Sequence, residues 1–395
     1  MMDIEKTEEI VDLAKILIRF PSVTVGESER MDAVNQAAAF IELYFRQHGL
    51  DVRLFDDAKF PALLVGFPGQ LLAPVMLSGH FDVVAPEPDD GQFEPRIEGD
   101  YLWGRGAGDM KTVVATYMVW MKYRLLAGPP YPPINLLLVG NEEAGEGEPM
   151  GTPHVLDTLA SESGYSPNIF IAGERTETSG KGLCGEVAVQ NRGVMRFDLI
   201  AHGQRGHTGV AGAQRDLSAR LMKAYADVQE MMARYLTLEA GDGWCSQVRF
   251  PFIKVGTPGI YNINADHGVL GVEARLIPQD DVESLYHDLA AYCSAHDFAL
   301  ENLLMEKGIA CDPENPYLKA LTAAVESISG EPAQIGRKLP GTSARFAPGG
   351  QGVVWGQSGL GPHASDERHY IPSIWPYYQS LNAFGEILLQ MDSDG

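Results

Sequence analysis

The chain has 395 residues, 45% of them hydrophobic and 21% charged, which is ordinary for a globular protein with room for two or three domains. With 53 acidic against 30 basic side chains the net charge is −23, which argues against nucleic acid and anionic membrane as partners, because both require the opposite sign. The acidic start shows no secretory pattern, no apolar run could span a bilayer, and Cys184, Cys245, Cys293 and Cys311 form no CxxC pair, so a cytoplasmic protein with reduced thiols is expected.

Apolar spacing predicts a helix over Ile4–Arg19, stopped by Pro21, and a second over Met31–His48 with Gly49 as its C-cap. Strands are expected at Val52–Phe55, Ala62–Phe67 and Pro74–Leu77, the last leading to His80 and Asp82. On a strand these two share a face, so Asp82 could accept a hydrogen bond from the second ring nitrogen of a metal-binding His80. Alone, such a pair is more often a capping or surface feature. Gly104-Arg105-Gly106-Ala107-Gly108-Asp109 follows; it meets neither phosphate-loop spacing and could be a plain strand-to-helix turn. A largely apolar helix over Lys111–Leu126 and a strand over Ile134–Gly140 come next, and Asn141-Glu142-Glu143 follows that strand directly. The strand Ile169–Ala172 delivers Glu174. Such alternation of strand and helix implies an α/β fold, a mixed and largely parallel sheet flanked by helices, with functional residues at the carboxyl ends of its strands.

From about Gly193 the texture changes. Strands at Val194–His202, Phe250–Val255, Val269–Ile277 and Ala299–Met305, with helices at Leu217–Tyr235 and Val282–His296, have the order β-α-β-β-α-β of a ferredoxin-like α+β unit. An inserted domain over 193–304 is therefore expected, leaving a discontinuous catalytic domain of 1–192 and 305–395. In its second part a helix over Tyr317–Ser329, a strand over Gly352–Trp355, the motif Pro362-His363-Ala364-Ser365-Asp366-Glu367 and a helix over Pro376–Gln390 complete the chain. The remaining histidines, His369 among them, read as surface or helix-face residues.

Strand ends thus gather His80, Glu142, Glu143, Glu174 and His363, with Asp109 close behind. Two carboxylates ~4 Å apart repel by about 4 kcal/mol at an effective dielectric near 20. Several acids at one sheet edge therefore call for protons or cations. Imidazole and carboxylate are zinc donors, and two divalent ions sharing one aspartate would neutralise the cluster.

These motifs (SGHFDVV, GRGAGDMK, NEEAGEGE, AGERT, GHTGVAG and PHASDE) together resemble the zinc-dependent aminoacylase/carboxypeptidase family, which includes acetylornithine deacetylase, succinyl-diaminopimelate desuccinylase and glutamate carboxypeptidase. The resemblance implies a zinc-exopeptidase-like catalytic domain with a lid and dimerisation domain, and a metal-dependent amidohydrolase acting on an N-acyl amino acid, or alternatively a dipeptidase or carboxypeptidase. It implies two Zn2+ per subunit, with Co2+ or Mn2+ as alternatives: His80 and Glu174 on one, Glu143 and His363 on the other, and Asp109 bridging. Asp82 would support His80 and Glu142 would act as general base. His207 matches the lid histidine that stabilises the oxyanion, in dimeric members from the partner subunit, so a homodimer through the lid is also expected. Asn262 matches a substrate-contacting asparagine, although Asn-Ile-Asn-Ala stands here for the usual Asn-x-Ile-Pro. Arg345 resembles the arginine that holds the substrate carboxylate, although the aspartate usual between Ser and Ala is missing from Thr342-Ser343-Ala344-Arg345; Arg275 is the alternative. A non-catalytic metal-binding homologue is the rival of another class.

Overall fold

The computed structural model describes residues 2–25, 29–87, 91–146, 150–209 and 216–393. Gly147, Glu148 and the 210–212 part of the GHTGVAG motif lie outside the described residues. The chain divides into two compact units, one of Met1–Gln190, Ala310–Lys338 and Thr342–Gly395, the other of Asn191–Ile309 and Leu339–Gly341.

The first unit is built on a nine-stranded sheet whose centre is parallel: Ile134–Val139, Val75–His80, Ile169–Ala172 and Gly352–Val354 lie side by side in that order. All four are buried along their whole length, as strands covered on both faces must be, which accounts for their largely apolar sequences. Antiparallel strands Ala62–Gly66 and Asp51–Phe55 extend one side. The core takes in the helix Lys111–Ala127, whose buried residues run without a break from Lys111 to Met121, together with Ile10, Leu17, Ile41, Phe45, Leu381 and Phe384 from other helices.

Register places the strand ends. His80 is opposite Val139 and Ser78 opposite Ala172, so the residues that follow all three strands emerge at one edge. The Gly173 N–H donates to the Ser78 carbonyl (2.8 Å), which holds Glu174 beside His80.

Several sequence-based expectations are corrected here. The strand before His80 reaches His80 itself, so Asp82 lies beyond it and meets the histidine through the turn that follows. His363 does not follow the Gly352–Val354 strand directly. It follows a two-residue strand, Gly359–Leu360, of a separate antiparallel sheet that also contains Arg368–Tyr370, Tyr101–Trp103 and Arg96–Glu98. These strands are too short to carry a period. His369 is buried in that sheet opposite Leu102, and burial pushes its imidazole down to about 3, so it is a neutral core residue and not a surface one. The last helix begins at Ile374, two residues before Pro376, because proline is tolerated in a first helical turn.

The second unit is a four-stranded antiparallel sheet in the order Gln247–Val255, His267–Leu276, Gly193–His202, Phe298–Glu306. Helices Leu217–Tyr235 and Val282–His296 pack on it, and Met195, Phe197, Leu199, Leu270 and Val272 meet Leu221, Val228, Leu285 and Leu289 in one apolar core. Asp216 and Asp281 cap the two helices through backbone N–H groups. The edge strand starts at Gln247, three residues before the apolar run suggests, and Pro251 sits at a register shift between Arg249 and Phe252, where an edge strand accommodates it.

Candidate metal centre

Four side chains from distant parts of the first unit meet around Asp109. His80 Nε2 lies 3.2 Å from Asp109 Oδ1 and 3.4 Å from Glu174 Oε1. His363 Nε2 lies 3.0 Å from Glu143 Oε2 and 3.7 Å from Asp109 Oδ2. The two oxygens of Asp109 thus face two different histidines. His80, Asp109 and Glu174 form one group whose donor atoms lie within 4.8 Å of one another, and Asp109, Glu143 and His363 form another. Imidazole nitrogen and carboxylate oxygen are the donors that divalent zinc takes, so both groups fit such an ion chemically.

The loop carrying Glu142 and Glu143 is held by Asp82. This fully buried carboxylate accepts the Glu142 N–H (3.1 Å), the Glu143 N–H (3.0 Å) and the Thr24 hydroxyl (2.7 Å). His80 Nδ1 lies 3.1 Å from the Asp82 carbonyl and 3.4 Å from its carboxylate, so the residue supports the imidazole mainly through its backbone. Gly106 turns the preceding loop at φ +87°, where a Cβ would stand 2.8 Å from the Lys111 side chain.

Burial and the cluster's own charges set its proton affinities. Burial, followed by the charge of Glu174, raises the Glu142 carboxyl well above its ordinary range. Burial pushes Glu143 up to about 7. Burial, the largest single influence, would raise Asp109 too, but the hydrogen bond and charge of His80, with Glu174 and His363, together hold the carboxyl low. Burial works against a charged His80, yet hydrogen bonds to Asp109, Asp82 and Glu174 leave its affinity for a proton well raised. Glu142 belongs to neither donor group; its Oε1 stands 4.0 Å from Arg345 Nη1. A carboxylate with raised proton affinity beside a metal centre is placed to take up and return a proton.

Arg345 lies on the short 3-10 turn Ser343–Phe346, its side chain 8% exposed. Glu146, which the sequence left unassigned, ties that turn to the Glu142 loop: its buried carboxylate accepts the Ser343 hydroxyl (2.6 Å) and the Thr152 N–H (2.7 Å). Two further side chains went unassigned although both stand inside quoted motifs, Arg105 and Glu367, which form a buried ion pair at 2.6 Å. Position inside a motif was the available signal; an apolar-period reading has no means of showing that a charge is buried.

The remaining candidates belong to the second unit. His207 and Asn262 are brought together there: Gly206–His207 pairs with Ile263–Asn264, and the Asn262 carbonyl accepts the Thr208 N–H (3.2 Å). Both side chains are exposed. Arg275 pairs with Glu273 of its own strand at 3.2 Å.

A family model described as Peptidase family M20/M25/M40 matches residues 76–386. A succinyl-diaminopimelate desuccinylase of Gluconobacter oxydans is 34% identical over 190 residues, a stretch that spans 47% of each chain. That of Nitratiruptor is 25% identical over 370 residues, 91% of this chain and 94% of the relative. Among solved structures, aminopeptidase PepT of Bacillus cereus superposes with a TM-score of 0.71 at 16% identity, covering 97% of this chain and 99% of that one, a likeness of fold alone.

Proposed function

Because the chain belongs to peptidase family M20/M25/M40, and is with it a metal-dependent hydrolase of amide or peptide bonds, we propose that its substrate is an N-acyl amino acid with a free α-carboxylate. The observation that carries this reading is the pair of donor groups sharing Asp109, with Glu142 close by and in neither. The removal of a succinyl group named for the Gluconobacter and Nitratiruptor relatives favours an acyl amino acid over a dipeptide.

In this reading His80 and Glu174 hold one zinc ion, Glu143 and His363 the other, and Asp109 serves both; cobalt and manganese are the alternatives. Bound there, a divalent ion polarises a carbonyl oxygen and lets water act as a nucleophile near neutral pH. Glu142 takes the proton of the attacking water and returns it to the departing amine nitrogen, so the C–N bond breaks without an expelled amide anion. Arg345 holds the substrate carboxylate, a task that suits a guanidinium fork. Motif matches support His207 as oxyanion donor and Asn262 as a further substrate contact; Arg275 is the alternative to Arg345 for the carboxylate.

A homodimer through the second unit is part of the proposal, supported by exposed Phe252 and Ile253 on its edge strand; a monomer mass in sedimentation equilibrium would remove it. Four unpaired cysteines favour a cytoplasmic location, which fractionation of the source cells tests. None of the described helices is long and apolar enough to cross a membrane.

The deciding experiment offers purified protein N-acetyl and N-succinyl amino acids beside dipeptides, with and without a chelator and with zinc, cobalt or manganese restored. Cleavage of acyl amino acids that stops with chelator and returns with metal is expected. Cleavage of dipeptides alone would shift the assignment to a peptidase, and activity indifferent to chelator would sink the reading.

A further inference from the structure

We propose that Arg105 and Glu367 are a positioning pair that sets the more exposed donor group, Asp109, Glu143 and His363, and so governs how tightly that group holds its ion. The inference rests on the metal-hydrolase reading and extends it to residues with no part in ligation.

The pair is 2% and 1% exposed, and its members stand 262 positions apart in sequence. Arg105 Nη1 donates to Glu367 Oε2 at 2.6 Å. The other oxygen, Oε1, accepts three backbone N–H groups of the loop that ends in Asp109: Gly106 (2.9 Å), Gly108 (3.0 Å) and Asp109 itself (3.1 Å). In the opposite direction Arg105 Nη2 donates to the carbonyl of His363 (3.3 Å). Two outer stitches run the same way: the Gly104 N–H donates to the Glu367 carbonyl (3.2 Å), and the Gln92 side-chain amide donates to the Ala364 carbonyl (2.9 Å). Each charged group of the pair thus bonds the backbone of a residue that supplies a donor atom.

A buried ion pair is weak evidence for stability, since the loss of hydration offsets much of its attraction. What this pair contacts is therefore the better guide to its use. His363 needs holding: it is a non-glycine residue at φ +65°, a sparsely populated backbone conformation, and its side chain is 54% exposed, so little packing fixes the imidazole. The bond from Arg105 to its carbonyl restrains the backbone from which the ring projects. The two donor groups depend on the clamp unequally. In Asp109, Glu143 and His363 two of three donors sit on clamped loops, whereas in His80, Asp109 and Glu174 only Asp109 does. Removing the clamp should therefore loosen one ion and spare the other.

The test is competitive titration of zinc between the full-length protein and a chromophoric chelator, for the unmodified chain, Glu367→Gln and His363→Ala. Two ions are expected in the unmodified chain. Glu367→Gln should retain one with affinity within about threefold and weaken the other about 10- to 100-fold, the usual cost of losing a partner just outside the ligands. His363→Ala should weaken that same ion. Because Glu367→Gln leaves a buried guanidinium without its counter-charge, the double variant Arg105→Gln with Glu367→Gln, which removes both charges, is measured beside it, and thermal melting of the metal-free proteins reports folding. Equal weakening of both ions in the folded variants, or unchanged binding of both, overturns the proposal. An unmodified chain that binds no divalent ion fails at the underlying reading, before any variant is compared.

Discussion

The two units differ in how many charged residues they bury. In the first, His80, Asp82, Arg105, Lys111, Glu146, Glu174 and Glu367 are all buried, and each meets another charge or backbone N–H and carbonyl groups. Burial brings even the Lys111 ammonium down to about 7, although the charges of Asp82 and Glu367 oppose the shift. The second unit buries fewer polar residues, Asn191, Arg192 and Ser246, beside its apolar core, and His207 and Asn262 lie outside that core. Burying a charge is costly unless it is paired, so the first unit links its chemistry to its folding. The second separates them, and its surface residues can change without disturbing the packing.

That contrast can be broken by substitution, and the largest effect is expected at Glu142. Glu142→Gln should lower kcat about 10^2- to 10^4-fold, the usual contribution of a general acid–base group, while leaving metal content at the unmodified level because the residue is in neither donor group. Metal analysis beside steady-state kinetics checks this; a rate within tenfold of the original would take Glu142 out of the mechanism. Next comes His207→Ala, expected to cost about 10^2- to 10^3-fold in kcat if the imidazole is an oxyanion donor. Its melting temperature should stay where it was, since the side chain is exposed and, among the described residues, its Nδ1 accepts the Gly209 N–H alone. A melting point that falls together with activity would contradict the separation claimed for the second unit. The smallest change of the three is expected from Asp82→Asn, about 10- to 100-fold in metal affinity. Here stability should fall as well, because an amide cannot accept all the bonds this carboxylate takes from Thr24 and the Glu142 and Glu143 backbone. Weakened metal binding with an unshifted melting point would show that the first unit does not couple the two properties.

How much was legible in advance differed from element to element; in the first unit Met31–His48 keeps its expected bounds, closed by Gly49. Leu217–Tyr235 and Val282–His296 have the same bounds in the structure as in the sequence reading, because a two-layer unit with one apolar face leaves a clear 3.6-residue period and acidic caps mark both starts. The helix Gly151–Ser163 went unread, lying next to the glycine-rich stretch that follows Glu143, with no side-chain cap to mark its start. The small sheet that joins Tyr101–Trp103 to Arg368–Tyr370 also went unread, since three-residue strands carry no pattern. Yet that sheet does most to bring Asp109 and His363 together: its antiparallel register sets the loop leaving Trp103 against the loop entering Arg368.

Residue chemistry and local spacing were enough to determine the α/β character, the βαββαβ segment and the set of imidazoles and carboxylates from which a metal site could be assembled. These depend on periods of two and 3.6 and on donor type, which any short window of sequence displays. Spacing could not separate Glu143 from Glu142 beside His363 or turn one Asp109 oxygen to each histidine, arrangements the family resemblance implied and the tertiary structure carries; only the tertiary structure decided that Arg105 and Glu367 hold both loops. Those facts are distances of a few ångströms between residues up to 262 positions apart, fixed by strand register and by where the buried charges find their partners.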